Sequence, residues 1–217
     1  MDSLNRHEDY GQAALDESHL VADPIEQFKT WLIEAEAAQI YEPNAFLLAT
    51  IDAENQSRAR TVLLKGVDHR GFFFATNYLS RKGEAVAANP SVSAVFGWYS
   101  MYRQVLIQGV AEKVQPTESD EYFASRPHES QVAAWSSHQS QPIENRAALD
   151  AQFTEALAKF SNTDVPRPDY WGGYRIIPTR IEFWKGRSNR MHDRIEFVRE
   201  LNLDGQPGEW KVQRLQP

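Results

Sequence analysis

Residues 45–65 read AFLLATIDAENQSRARTVLLK, two aliphatic and β-branched runs on either side of the turn-forming stretch Asp52-Ala53-Glu54-Asn55. The spacing predicts paired strands, Ala45–Ile51 and Ser57–Lys65. Working outward, the same pattern returns at Phe72–Thr76, after the turn signal Asp68-His69-Arg70-Gly71, and at Val92–Trp98 and Val105–Val114. Beyond Trp171-Gly172-Gly173 it resumes at Tyr174–Pro178, Ile181–Trp184, Asp193–Glu200 and Trp210–Leu215, the last two joined by Asn202-Leu203-Asp204-Gly205. The expectation is a mainly β fold with peripheral helices (α+β), a barrel of roughly seven or eight strands. Residues 1–22 are acidic and weakly periodic, which predicts a flexible N-terminal arm ahead of a single domain over 23–217. A helix should start at Asp23-Pro24-Ile25-Glu26, with Asp23 as N-cap and Glu26 closing a capping box, and run to about Gln39. Its stripe of Ile25, Phe28, Trp31, Leu32, Ala35 and Ala38 reads as core. Residues 116–163 return to helical periodicity, punctuated by Pro116, Pro127 and Pro142.

The chain has 217 residues, 41% hydrophobic, enough for one substantial core without staples. With no cysteine, thiolate chemistry and cysteine-ligated metals are excluded, and redox work needs an external cofactor. A net charge of −7 repels nucleic acid and anionic membrane, so anion binding must come from local clusters and suits small phosphorylated molecules. The N-terminal stretch has no apolar run of the signal-peptide kind, and the expectation is a soluble cytoplasmic protein. Zinc-protease, P-loop, nucleophile-elbow and dinucleotide-fold motifs do not occur.

Several cationic clusters stand out against this acidic background. Arg190-Met191-His192-Asp193-Arg194 sets two arginines around one histidine, an arrangement that costs repulsion unless an anion is present. Both cations of Ser80-Arg81-Lys82 fall in the first turn of a short helix ending near Asn89-Pro90. That opposes the helix dipole by about 0.3–1 kcal/mol each and makes sense if a phosphate sits there. Strand alternation puts Arg60, Val62 and Leu64 on one face and Thr61, Leu63 and Lys65 on the other, so one strand could serve two anions. Tyr122, Arg126 and Ser130 are spaced by four and would share a helix face, although Pro127 argues for a break. His192 reads as a general base, a hydrogen-bond donor or a structural residue, with its flanking arginines disfavouring the imidazolium. Gln104, Gln139 and Ser140 are polar but not distinctive on their own.

These residues also carry a resemblance. RTVLLK at 60–65, FATN at 74–77, SRK at 80–82, RQV at 103–105, YFASRP at 122–127, SHQS at 137–140, WGGYR at 171–175, EFW at 182–184 and RMHDR at 190–194 resemble, in order, the pyridoxine (pyridoxamine) 5′-phosphate oxidase family. The resemblance implies a split β-barrel homodimer of FMN-binding type, with FMN at the subunit interface and each site drawn from both chains. It places FMN contacts on Arg60, Thr61, Val62, Leu63, Leu64, Lys65, Ala75, Thr76, Arg81, Lys82, Gln104, Gln139, Ser140, Trp184 and Arg194. Substrate phosphate falls on Lys65, Tyr122, Arg126 and Ser130, and the substrate ring on Arg190, Met191 and His192, with Arg190 and His192 as the catalytic pair. No metal is implied. The implied reaction removes a hydride from the 4′ carbon of pyridoxamine or pyridoxine 5′-phosphate to the flavin. Dioxygen is the final acceptor, and the products are pyridoxal 5′-phosphate, hydrogen peroxide and, from the amine, ammonia. The family's arm carries an arginine three residues before a tyrosine; here His7 stands at that spacing from Tyr10, with Arg6 one further back. Two rivals are a related flavin oxidase acting on a different, phenazine-type ring, and a non-catalytic flavin, haem or pyridoxal phosphate binding protein.

Overall fold

The computed structural model describes residues 9–202, 205 and 207–217, so Arg6, His7, Leu203 and Asp204 lie outside the described residues. Nine strands form one antiparallel sheet: β1 (Ala45–Ile51), β2 (Ser57–Leu63), β3 (Gly66–Asp68), β4 (Gly71–Asn77), β5 (Ser91–Trp98), β6 (Arg103–Lys113), β7 (Trp171–Lys185), β8 (Asp193–Val198) and β9 (Lys211–Leu215). Neighbours run β2-β1-β5-β6-β7-β4-β3, with β8 added to β7 and β9 to β8. Among the described residues five α-helices flank it: α1 (Pro24–Ala37), α2 (Arg81–Ala88), α3 (Pro116–Ala124), α4 (His128–Ser136) and α5 (Arg146–Lys159). The expected mainly β fold with peripheral helices is what forms.

Most strand ends shift by one or two residues from expectation and the short β3 was not expected, but two departures change the topology. The predicted Ser57–Lys65 strand stops at Leu63. Leu64 N then donates to Asn44 O at 2.8 Å and Lys65 N to Phe73 O at 2.8 Å, so the chain leaves β1 and begins pairing with β4. The two strands expected at Tyr174–Pro178 and Ile181–Trp184 are one, β7. Its register against β6 slips between Gln108 and Gly109, where Gly109 pairs with Pro178 and Gln108 with Arg180, leaving Thr179 as the extra residue of a bulge. The bulge accommodates Pro178, which has no N–H for the ladder. Gly109 is required opposite it, since a Cβ there would lie 2.1 Å from Ile177 O.

The main core packs α1 onto the curled sheet through Phe28, Trp31, Phe46, Phe72, Phe74, Phe96, Trp98 and Phe183. Asp23 caps α1 through Ile25 N at 2.8 Å, whereas Glu26 turns to Lys29 at 2.6 Å rather than forming the expected box. The buried stripe ends at Ala35, and Ala38 is the exposed C-cap. A second cluster of Phe123, Val132, Phe160 and Trp171 sits under α3–α5. The described part of the N-terminal arm lies along the C-terminal strands: Ser188 N donates to Gly11 O at 3.0 Å, Leu15 N to Asp193 Oδ2 at 2.9 Å, and Arg214 pairs with Glu17. Among the described residues no helix is long and apolar enough to cross a membrane.

Candidate active site

The first cluster forms at the N-terminus of α2. Ser80 caps the helix, its Oγ accepting from Gly83 N at 3.3 Å. Lys82 curls back over this turn and donates to Gln139 Oε1 at 2.6 Å, Thr76 Oγ1 at 3.0 Å and Ser80 Oγ at 3.4 Å. Ser140, in the left-handed region at φ 73°, accepts from Arg81 N at 3.3 Å. Arg60 reaches inward from β2, its Nη1 donating to Thr50 Oγ1 at 2.8 Å and Leu48 O at 3.0 Å. Burial, helped by the field of Arg60, pulls the Lys82 ammonium down to about 8, and burial likewise lowers Arg60. Among the described residues no carboxylate pairs with Arg60, Arg81 or Lys82. Arg60 and Lys82, held only by neutral acceptors, and the exposed Arg81 stand around a helix N-terminus, an arrangement that could receive an anion. Ala75 and Thr76 stand on β4 opposite Gly173 and Gly172, beside it. Along residues 60–65, Thr61 and Lys65 are exposed, Val62 and Leu63 half-buried and Leu64 buried.

The second cluster gathers on Trp171. Tyr122 and Ser130 do not share one helix, because α3 ends at Ala124 and α4 begins after Pro127, as the proline required. Tyr122 lies parallel to the Trp171 ring at 6.1 Å and edge-on to Phe73 at 5.4 Å. Arg126, in the link, lies 4.5 Å over the same indole, with its Nη1 buried and without a hydrogen-bond partner. Burial raises the Tyr122 phenol and lowers Arg126, and each partly offsets the other. Lys65 is exposed, and its backbone N donates to Phe73 O next to this group. The Gly172-Gly173 pair permits the close packing: a Cβ on Gly173 would sit 2.1 Å from Phe73 Cε2, and one on Gly172 2.2 Å from the Tyr78 hydroxyl. Thr50, Phe73 and Trp171 were missed as site-building residues. Only the Trp-Gly-Gly sequence signalled one of them, through its demand for close approach.

The third cluster surrounds His192 at the opposite end of β7. Its ring is 4.7 Å from Trp184 and 5.6 Å from Tyr10, and Nδ1 accepts from Arg187 N at 3.0 Å. That bond leaves the neutral ring with its proton on Nε2, so it presents a donor. Burial first, then Arg190, lower the His192 imidazolium below its ordinary value. Arg190, at φ 60°, and Met191 are exposed beside it. Gln104 of β6 pairs across β7 with Trp184. The repulsion expected within Arg190–Arg194 comes from Arg190 alone, because Arg194 is neutralised by buried Glu182 through Nε–Oε1 at 2.7 Å and Nη2–Oε2 at 3.0 Å. Asp193 meanwhile takes Arg187 and Arg214.

The first two clusters lie at the start of β7 and the third at its end. From Trp171 to Trp184 the strand covers about 40 Å. Within one chain the two cationic clusters and the His192 group therefore stand too far apart for one small ligand.

Comparison with known proteins bears on the family and the fold. A family model described as pyridoxamine 5′-phosphate oxidase matches residues 32–160, and one described as the pyridoxine 5′-phosphate oxidase C-terminal dimerisation region matches 171–217. The chain is 50% identical over 208 residues to the pyridoxine/pyridoxamine 5′-phosphate oxidase of Bordetella avium (strain 197N), covering 96% of each, and 49% identical to that of Nostoc punctiforme, covering 96% of this chain and 95% of the relative. Among solved structures it is similar to PhzG from Burkholderia lata 383 in complex with tetrahydrophenazine-1-carboxylic acid, at a TM-score of 0.87 and 31% identity over 96% of this chain and all of that one. A pyridoxamine 5′-phosphate oxidase-related, FMN binding protein from Nostoc punctiforme shares the fold at a TM-score of 0.70 and 13% identity. Ordered motifs, sheet topology, two family models and relatives matched over 96% of the chain converge, and the chain belongs to the pyridoxamine 5′-phosphate oxidase family of oxidoreductases.

Proposed function

We propose that this chain oxidises pyridoxamine 5′-phosphate and pyridoxine 5′-phosphate to pyridoxal 5′-phosphate, with FMN as cofactor and dioxygen as acceptor, in a homodimer whose two sites each use both chains. The observation that carries the reading is the pair of anion-facing clusters at one end of β7, both without a carboxylate partner among the described residues. One serves a cofactor phosphate and the other a substrate phosphate. Arg60, Arg81, Lys82, Thr76, Gln139 and Ser140 would hold the FMN phosphate, where the desolvated, charge-unpaired Lys82 fits a dianion. FMN would supply the two-electron acceptor that a chain without cysteine lacks.

The chain's own residues bind and orient. Lys65, Tyr122, Arg126 and Ser130 hold the substrate phosphate, and Trp171 keeps Tyr122 and Arg126 at fixed height. Across the dimer, Arg190 and Met191 cover the substrate ring and His192 offers Nε2–H as a donor, its other nitrogen engaged by Arg187. Trp184, Gln104 and Arg194 complete the flavin side, Arg194 being held in place by Glu182. The match to a C-terminal dimerisation region supports the two-chain site.

The likeness to PhzG favours a second reading, oxidation of an unphosphorylated ring, but that would leave Tyr122, Arg126 and Ser130 without their anion. Anaerobic addition of pyridoxamine 5′-phosphate to FMN-loaded protein tests the choice. Bleaching of the flavin absorbance, its return with air and formation of pyridoxal 5′-phosphate are expected. Flavin that stays oxidised would sink the proposal.

A further inference from the structure

Two turns of α3 ahead of Arg126 are pinned to the sheet by groups that the proposed reaction does not use. Glu118, four residues before Tyr122, receives Arg175 Nη1 and Nη2 at 3.1 Å each and Arg70 Nη1 at 2.7 Å. Asp68, at the end of β3, takes Arg70 Nη2 at 2.7 Å and Arg175 Nη2 at 3.3 Å. The Arg175 side chain is only 12% exposed, so water screens this cluster weakly. The next two residues are tied as well. Ser119 Oγ accepts from Gly173 N at 3.1 Å, and Asp120 holds Arg167 Nε at 2.6 Å while Arg167 Nη1 donates to Trp171 O at 2.6 Å. Residues four apart share a helix face, so the face of α3 that carries Glu118 onto Arg175 of β7 also carries Tyr122 onto Phe73 of β4. A shift of the ionic contact would be transmitted along one rigid turn, about 6 Å, to the phenol.

We propose that the Glu118–Arg175 pair, extended by Asp68 and Arg70, is a positioning device for the substrate-phosphate pocket: it fixes where Tyr122 and Arg126 stand on Trp171 without touching the ligand. The proposal rests on the assignment of that pocket to a phosphate ester. Misplacement of binding groups by a fraction of an ångström weakens ligand capture while leaving the proposed cofactor-phosphate groups on β4 and α2 intact.

The test compares wild-type, Glu118→Gln and Glu118→Asp holoenzymes by steady-state turnover of pyridoxamine 5′-phosphate and by FMN titration. Glu118→Gln is expected to raise KM about tenfold with kcat and the FMN Kd changed by less than about twofold, and Glu118→Asp to recover most of the loss. An unchanged KM, or a loss of kcat and FMN affinity in step with KM, would overturn the positioning role. If wild-type flavin is not reduced by pyridoxamine 5′-phosphate, the substrate assignment itself fails. Calorimetric titration with inorganic phosphate then decides the positioning role separately, equal binding by wild type and Glu118→Gln refuting it and weaker binding by the variant supporting it.

Discussion

Replacing Lys82 with methionine removes one charge from the α2 cradle while keeping an unbranched side chain of similar length. In the free protein Lys82 donates only to Gln139, Thr76 and Ser80, all neutral, and burial has already stripped much of its hydration. A phosphate dianion at the helix N-terminus would gain a charge-assisted hydrogen bond from it, worth about 1.5–3 kcal/mol, so Lys82→Met should weaken FMN binding about 10- to 150-fold near pH 7. The pH dependence is sharper still. With its ammonium at about 8 rather than the ordinary 10.5, Lys82 loses its proton in the free protein as pH rises through 8, whereas bound phosphate holds the proton on. Wild-type affinity should therefore be flat to about pH 7 and fall above 8 by up to tenfold per unit, and Lys82→Met should lack that fall. The sign for the apoprotein is opposite: between 8 and 10.5 the unfolded chain binds more protons than the folded one, so burial of Lys82 makes the apoprotein gain stability with rising pH. Quenching of flavin fluorescence in titrations from pH 7 to 9.5 measures both effects. Parallel wild-type and variant curves above pH 8, or an unchanged Kd at pH 7, would refute the assignment of Lys82 to the phosphate.

Three further outcomes are expected. Gly173→Ala forces a Cβ to within 2.1 Å of Phe73 Cε2 and 2.9 Å of Val114 Cγ2, and should cost about 1–3 kcal/mol in urea unfolding; a neutral result would mean the strands slide apart freely. Arg194→Met strands Glu182, whose side chain is 8% exposed, and should cost about 3–5 kcal/mol, while Glu182→Met with Arg194→Met should recover much of it; equal losses in the single and double variants would count against the ion pair. Because burial and then Arg190 hold the His192 imidazolium below 6.5, a role for the neutral ring persists above that value and fades as pH falls through the lowered one. Arg190→Met should move the acid limb of kcat/KM to higher pH, and an unmoved limb would remove His192 from the reaction.

The elements bounded by strong local chemistry were legible in the sequence. Asp23-Pro24 set the start of α1, Ser80 capped α2, and alternation placed Arg60 and Thr61 on opposite faces. What was not legible depended on partners distant along the chain. β7 continues through Pro178 because Gly109, on another strand, accommodates the bulge. Gln139 and Ser140 become site residues only when the link after α4 is folded against α2. The charge at Arg194 looked uncompensated because its partner, Glu182, lies on the neighbouring strand. Spacing along one segment reports faces and caps; it is silent about which face another segment will supply.

The length of β7 has a genetic consequence. In the proposed dimer each copy of this strand lends its Trp171 end to one site and its Trp184 end to the other, so defects at the two ends are carried by different polypeptides at any single site. A chain bearing Arg126→Ala and a chain bearing His192→Ala, each inactive alone, should complement when co-expressed. Random pairing places one intact and one doubly damaged site in every mixed dimer, and mixed dimers make up half the population. About a quarter of wild-type activity should then return from two dead alleles, a result that no site confined to one chain can produce.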